Sequence, residues 1–244
     1  MLTYYKNSST CLRAFYLKIK KNLRVTYIIT FASSKGGSGK STFCVNFAAY
    51  FGMRGRNVTI LDTDFQKSSH DWVRESSDEC LENVKTYVAN EENSIRQYIK
   101  QSRCDILCVD SQGAVSRELA ACLEASDLII TPCRPSRDDL VGLGWVAAFA
   151  RRVNPKFATS SDRLLPVLNA VNKHSVAFQH ARQQLMADGY KAADTAISQR
   201  VSQAEANFNR CSIFHQNSRA AQEFRALGWE VMERITQHKS EAAA

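Results

Sequence analysis

Two kinds of apolar pattern alternate along the chain. Continuous apolar runs read as buried strands: VTYIITF (25–31), NVTILDTD (57–64), VKTYVA (84–89), CDILCVD (104–110), DLIITPC (127–133), RLLPVLNAV (163–171) and one near AADTAIS (192–198). Between them lie stretches read as helices: STFCVNFAAYFGMRG, SSHDWVRES, SIRQYIKQ, VSRELAACLEA, DLVGLGWVAAFARRV and SVAFQHARQQLMADG, the last ended by Gly189. A C-terminal helix is expected from about Ser218 to Ile235. Parallel strands need crossover helices, so this rhythm predicts an α/β fold: a twisted, mainly parallel sheet flanked by helices. No linker or internal repeat divides residues 25–244, which read as one domain. The first 24 residues are basic and mixed and lack the apolar core of a signal peptide. They are expected to be a disordered extension, or to lie upstream of the true translation start.

The 244 residues are 44% hydrophobic and 23% charged, ordinary values for a globular domain large enough to bury a full sheet. A formal charge of +8 tilts the partner list towards polyanions. Eight cysteines contain no C-x-x-C pair, so they read as reduced, small hydrophobes rather than zinc ligands or a disulfide framework. No apolar run approaches the ~18–20 residues of a membrane span.

The chemistry concentrates at FASSKGGSGKST (31–42). Gly36, Gly37 and Gly39 allow the tight path by which backbone N–H groups face an anion at a helix N-terminus. Lys40 can reach β- and γ-phosphates, the Ser41 hydroxyl can ligate Mg²⁺, and Thr42 is placed for the α-phosphate. The common loop, G-x-x-x-x-G-K-[ST], asks for glycine at 34, where this chain has Ser34 followed by a second lysine, Lys35. Asp62, Asp64 and Asp110 stand at strand carboxyl ends, where open α/β sheets bind ligands; such acids can equally cap helices.

KGGSGKST resembles the deviant Walker A loop of the ParA/MinD superfamily of P-loop ATPases. LDTDFQ resembles its D-x-D-P-Q segment, with Phe65 in the place of proline. SSHDW, D-S-Q-G after Asp110, TPCRPSRDDL and DTAISQR look like its short, ParF-type plasmid-partition branch, with VirC-type conjugation proteins next. Twenty-four residues are too few for the N-terminal DNA-binding domain of the longer partition ATPases. The resemblance implies an Mg²⁺-dependent ATPase with ATP and ADP as ligands, weak without its partner. In it Lys35, Lys40 and Asp64 are catalytic, Lys35 reaching across a nucleotide-sandwich homodimer and Asp64 orienting the attacking water. Residues 35–42, Ser38 included, hold phosphates; Ser41, Asp62 and Asp110 serve the metal; Asn169, Asn172, Ser198 and Arg200 are the expected contacts on the adenine side. Nonspecific DNA, expected at Arg210, Arg219 and Arg225, and a ParB- or ParG-like centromere-binding protein are the implied partners, in a cytoplasmic, nucleoid-associated setting. The rivals are a conjugation or cargo-positioning ATPase and a membrane-cycling MinD-like protein. The acids Glu230 and Glu233 in the C-terminal helix suit an anionic membrane poorly, so its apolar residues are expected in the core.

Overall fold

Strands rich in Ile, Val and Leu that are apolar on both faces can only be satisfied inside a sheet covered on two sides. A computed structural model describes residues 26–159 and 161–243; the expectations for residues 1–24, and for Val25 and Cys11, lie outside the described residues. Its strands are β1 (Tyr27–Phe31), β2 (Val58–Asp62), β3 (Val84–Val88), β4 (Ile106–Asp110), β5 (Leu128–Cys133) and β6 (Leu164–Leu168). They form one sheet in the order β3-β2-β4-β1-β5-β6. Every pairing is parallel, so the sheet is wholly rather than mainly parallel. All strands but β3 are buried along their whole length. β3, at one edge, alternates buried and exposed positions. β5 passes through Pro132 to Cys133, where the apolar run ends. Its pairing with β1 ends at Phe31–Ile130, so the missing N–H of Pro132 costs that ladder nothing.

Nine helices follow in chain order among the described residues: α1 (Lys40–Gly52), α2 (Ser68–Glu75), α3 (Glu92–Gln101), α4 (Arg117–Ala125), α5 (Arg137–Val153), α6 (Lys156–Thr159), α7 (Val176–Ala187), α8 (Val201–Phe208) and α9 (Arg219–Ala243). AADTAIS is not a strand. It follows β6 through backbone bonds from Ala193 to Pro166 and from Ile197 to Leu168, with one isolated bridge at Val171–Ser198. α9 continues well past Ile235, through most of the terminal EAAA.

The helix after the glycine loop is buried on all sides rather than amphipathic, because α9 covers the side that would otherwise meet water. Its rings stack in sequence. Phe43, Phe47 and Phe51 neighbour one another, Phe31 of β1 packs on Phe47, and Phe224 of α9 meets Phe43 edge-on at 5.2 Å. Phe224, Leu227, Val231, Met232 and Ile235 of α9 are all buried in this core, so the apolar face of the C-terminal helix is spent there. No helix among the described residues is long and apolar enough to cross a membrane.

The far end of α9 is fastened by a buried pair, Tyr27 Oη and His238 Nδ1, 2.7 Å apart. Burial, with Arg163 and Arg234 adding to it, lowers the His238 pKa to about 4, while Asp162 and Asp127 oppose the shift. The imidazole, 3% exposed, is therefore neutral in the folded protein. Unfolded, it titrates near 6.5, so its effect on stability is constant above that pH and turns unfavourable as pH falls towards 4. The loss amounts to about 3 kcal/mol at most. His238→Phe should remove this slope. Urea melts from pH 7 to pH 4 should bring wild type and variant together as pH falls; a constant gap would show that His238 does not titrate this way.

Candidate functional site

The sheet order puts β1 at the centre, so its carboxyl end opens between β4 and β5, where the chain departs to opposite sides. Residues 32–39 form the loop from there into α1. Gly37 and Gly39 take φ values of 70° and 105°, which a side chain resists. At Gly39 a Cβ would also stand 2.7 Å from Asn169 Nδ2. That amide donates 2.8 Å to the Ser38 carbonyl, so Asn169 braces the loop from the end of β6. Ser34, the departure from the common pattern, is accommodated by α5: Gly142 faces it, and a Cβ there would overlap the Ser34 hydroxyl.

The two lysines differ in setting. Lys40 is 9% exposed and its Nζ donates to the Lys35 carbonyl at 3.4 Å, beside Gly113. Lys35 Nζ lies outside, 2.9 Å from Asp138 Oδ2 in the first turn of α5, with side-chain exposures of 38% and 76%. The Ser38 hydroxyl is buried without a hydrogen-bond partner.

Asp62 and Asp110 are register partners on β2 and β4, which sets two carboxylates side by side at the strand ends. They are treated very differently. Asp62 Oδ2 accepts from the backbone N–H groups of Ser69 and His70 at 3.0 Å and from Ser69 Oγ at 2.8 Å. Its Oδ1 accepts from Asp64 N–H. Asp62 thus closes the start of α2, the capping use of a strand-end acid, where the sequence suggested a place in a metal shell. Asp110 is 1% exposed and neither carboxylate oxygen has a hydrogen-bond partner. Burial, then the Asp62 charge, push its pKa up to about 7, against the pull of the Ser41 and Ser69 hydroxyls and Lys40. A buried carboxylate with two open oxygens wants a proton or a cation. Beside the hydroxyl of Ser41 it offers the hard oxygen set that suits Mg²⁺. Asp64 sits on the loop after β2, its Oδ1 accepting from Gln66 N–H at 3.0 Å, next to a Phe65 that is 71% exposed.

Beyond Gly37, Gly39 and Thr42 opens a cavity of about 430 Å³. The rings of Phe43 and Phe224 and the amides of Asn169, Gln203 and Asn207 line it, with Phe208 among the walls. Gln203 Nε2 is buried and unpartnered. Three of these residues belong to α8, which has no buried residue of its own. Sequence reasoning missed them, since QAEANF carries no helical apolar repeat. Of the four residues expected on the adenine side, only Asn169 borders this cavity. Asn172, Ser198 and Arg200 line a neighbouring one of about 490 Å³ instead. The arginines expected to meet DNA also separate. Arg210 pairs with Glu75 at 3.0 Å and Arg225 stands over the Phe214 ring at 5.5 Å, whereas Arg219 borders an open cavity. The seven described cysteines are free. Among the described residues no cluster of three or more His, Cys, Asp or Glu could hold a metal ion.

Comparison with known proteins agrees with this geometry. A family model described as the CobQ/CobB/MinD/ParA nucleotide binding domain matches residues 29–210. The protein ParA of Rhizobium radiobacter is 35% identical over 114 residues, 46% of this chain and 50% of that protein. The chain thus matches about half the length of that relative. The chromosome-partitioning ATPase Soj of Thermus thermophilus is 25% identical over 243 residues, 85% of this chain and 96% of its own. Among solved structures, a plasmid partition protein from Borrelia burgdorferi bound to AMPPNP superposes with a TM-score of 0.67. It is 16% identical, over 87% of this chain and 99% of that one. The septum site-determining protein MinD of Pyrococcus horikoshii, complexed with Mg-ADP, gives 0.66 at 18% identity, over 88% and 99%. At such identities the structural likeness speaks for the fold alone.

Proposed function

The chain belongs to the CobQ/CobB/MinD/ParA nucleotide-binding family, and on that footing we propose that it is an ATP-hydrolysing partition ATPase. In this reading ATP pairs two copies face to face and the pair binds duplex DNA regardless of sequence. A small centromere-binding protein resets it by speeding hydrolysis, and the cargo is a plasmid or chromosome. The partition roles named for its relatives and the nucleotides bound in its structural neighbours support the reading.

The observation that carries it is the second lysine of the loop. The chain already has one phosphate lysine, Lys40, folded inward. Lys35 is held outside only by a surface ion pair, and such pairs are worth less than about 1 kcal/mol. It can therefore leave Asp138 at little cost and offer its ammonium to phosphates bound by a second copy, where it would offset charge developing as the γ-phosphate departs.

The other roles follow from placement. Backbone N–H groups of residues 36–42 cradle the phosphates, Lys40 meets the outer two and Thr42 the innermost. Ser41 and Asp110 would hold Mg²⁺, which would supply positive charge to offset that of the phosphates. Asp64, on the exposed loop after β2, orients the attacking water. The base takes the cavity beyond Gly37 and Gly39, one wall of which is the Phe43–Phe224 pair, with the Gln203 carboxamide supplying a polar contact.

With ATP and Mg²⁺ the protein should double in mass by light scattering and retain random duplex DNA, less so as salt rises. Lys35→Ala should keep nucleotide affinity within a few-fold and lose roughly a hundredfold or more of the dimer-linked hydrolysis. Hydrolysis at the wild-type rate would remove Lys35 from the partner's site. A protein still monomeric at saturating ATP would remove the pairing, and preferential pelleting with anionic liposomes would favour membrane cycling.

A further inference from the structure

α8 stands between two hollows and rests on very little. Its Gln203, Asn207 and Phe208 line the cavity of about 430 Å³ beyond the phosphate loop. On its other side Ser202, Glu205 and Ala206 line a second cavity, of about 180 Å³, shared with the chain that follows the helix. No residue of α8 is buried, and Ala206, which leans on the core, is only partly so. The two ends, by contrast, are tied down. Before the helix, Glu223 of α9 accepts from Ser198 N–H at 2.9 Å and from Arg200 at 3.4 Å. After it, Arg210 pairs with Glu75, while Ser212 N–H donates to Asp78 and Ile213 N–H to Asn46, both at 2.7 Å. Arg210 takes a φ of 54°, in the left-handed region that few side chains enter, so the chain turns sharply where the helix ends. A helix fixed at its ends and unpacked along its length can tilt at little cost, because few contacts are lost. Two of its groups are left open towards the larger cavity. Gln203 Nε2 is buried without a partner, and the Phe208 ring is 88% exposed. No charged side chain among the described residues lines that cavity.

We propose that α8 is a clamp that closes on the adenine base, with Phe208 covering one face of the ring and Gln203 reading its edge. The proposal rests on the reading of this cavity as the base site and adds how one base is told from another. A carboxamide presents a donor and an acceptor side by side, which match adenine N7 and N6–H₂. Guanine offers two acceptors on the same edge, N7 and O6, and would set O6 against the carboxamide oxygen. Arginine or lysine is the usual partner of that guanine edge, and neither lines this cavity. Closure answers both open groups at once: it takes the Phe208 ring out of water and gives the Gln203 N–H its acceptor. A polyphosphate without a base fills the loop and leaves α8 where it stands.

The test titrates ATP, GTP and inorganic tripolyphosphate into the full chain with Mg²⁺ and follows binding by calorimetry. Wild type should bind ATP at least about tenfold more tightly than either of the others. Phe208→Ala and Gln203→Leu should each lose about tenfold for ATP and stay within about twofold for tripolyphosphate, a split that general damage to the fold does not produce. Gln203→Leu should also narrow the ratio of ATP to GTP affinity. Phe208→Trp should keep the affinity for ATP. Its emission, taken as the difference from the parent chain with its three tryptophans, should move to the blue with ATP and stay in place with tripolyphosphate. If wild type prefers ATP to tripolyphosphate and Phe208→Ala keeps that preference in full, the clamp is overturned and the base site stands. Equal losses for ATP and tripolyphosphate in the variants would overturn it too, in favour of a purely structural role for α8. A wild-type protein that binds ATP no better than tripolyphosphate would overturn both the clamp and the reading it rests on.

Discussion

Lys40→Ala loses nucleotide binding, with affinity for ATP falling by at least about a hundredfold, or ~3 kcal/mol. The size of the effect follows from the charges around the lysine. Asp62 and Asp110 lie side by side at the strand ends, and Lys40 is among the few influences that hold the Asp110 carboxyl down. Without its ammonium, a triphosphate would approach two buried acids with no inward-facing side-chain cation to meet it. Lys35 does not substitute, because its ammonium lies outside the loop, placed for the phosphates of a second copy rather than those of its own cradle. Folding should survive, since position 40 opens a helix and alanine is the best helix former. Calorimetric titration of ATP at fixed Mg²⁺ decides the matter. Affinity within fivefold of wild type would mean that the phosphates are held elsewhere.

The second large effect concerns stability. Gly228 of α9 lies against the Tyr50 ring of α1, and a Cβ at that position would stand 2.6–2.7 Å from three of its carbons. The ring has nowhere to go. Arg54 covers it at 3.5 Å from its centroid, Phe51 meets it edge-on and Phe214 closes another side. Gly228→Val must therefore lift α9 away from α1, at about 3 kcal/mol or more. Tm should fall by roughly 6–12 °C. Gly228→Ala should fall between the two proteins. A valine variant melting within 2 °C of wild type would contradict this packing. Because α1 begins at Lys40, the same variant should also weaken ATP binding before it unfolds.

Much of the architecture was legible because the strands are short, apolar on both faces and separated by helices. Burial speaks loudly in such segments. The same signal misled at AADTAIS, where Ala193, Ala196 and Ile197 are buried against the neighbouring structure without entering a strand. Apolar spacing there recorded burial, not conformation. α8 fails in the opposite way: a helix that buries nothing leaves no periodic trace. α1 reads from its sequence as an amphipathic helix, and its burial on all sides escaped that reading because the cover, α9, lies far along the chain.

The phosphate loop was readable because its chemistry is contiguous, with glycines, lysines and hydroxyls inside eight residues. What the sequence withheld is how distant residues are committed. Asn169 is tied to Ser38 across 131 positions. Asp62 and Asp110 look alike as strand-end acids, and the N–H groups of Asp64, Ser69 and His70 with the Ser69 hydroxyl separate a saturated carboxylate from an open one. The arginines tell the same story: Arg210 is paired with Glu75, Arg225 stands over Phe214 and Arg200 meets Glu223, none of them a neighbour in sequence.

The contact between Ser34 and Gly142 has a consequence for how this loop can vary. The Ser34 hydroxyl occupies the room that a side chain at 142 would need, so what one position holds bears on what the other can accept. Relatives with glycine at the first should be free to carry alanine or serine at the second. An isolated reversal leaves a hole, and an isolated gain leaves an overlap. The loop's departure from the common pattern is thus matched by a glycine on another helix. Paired substitution of these two sites across homologues would mark the lineages that share this solution.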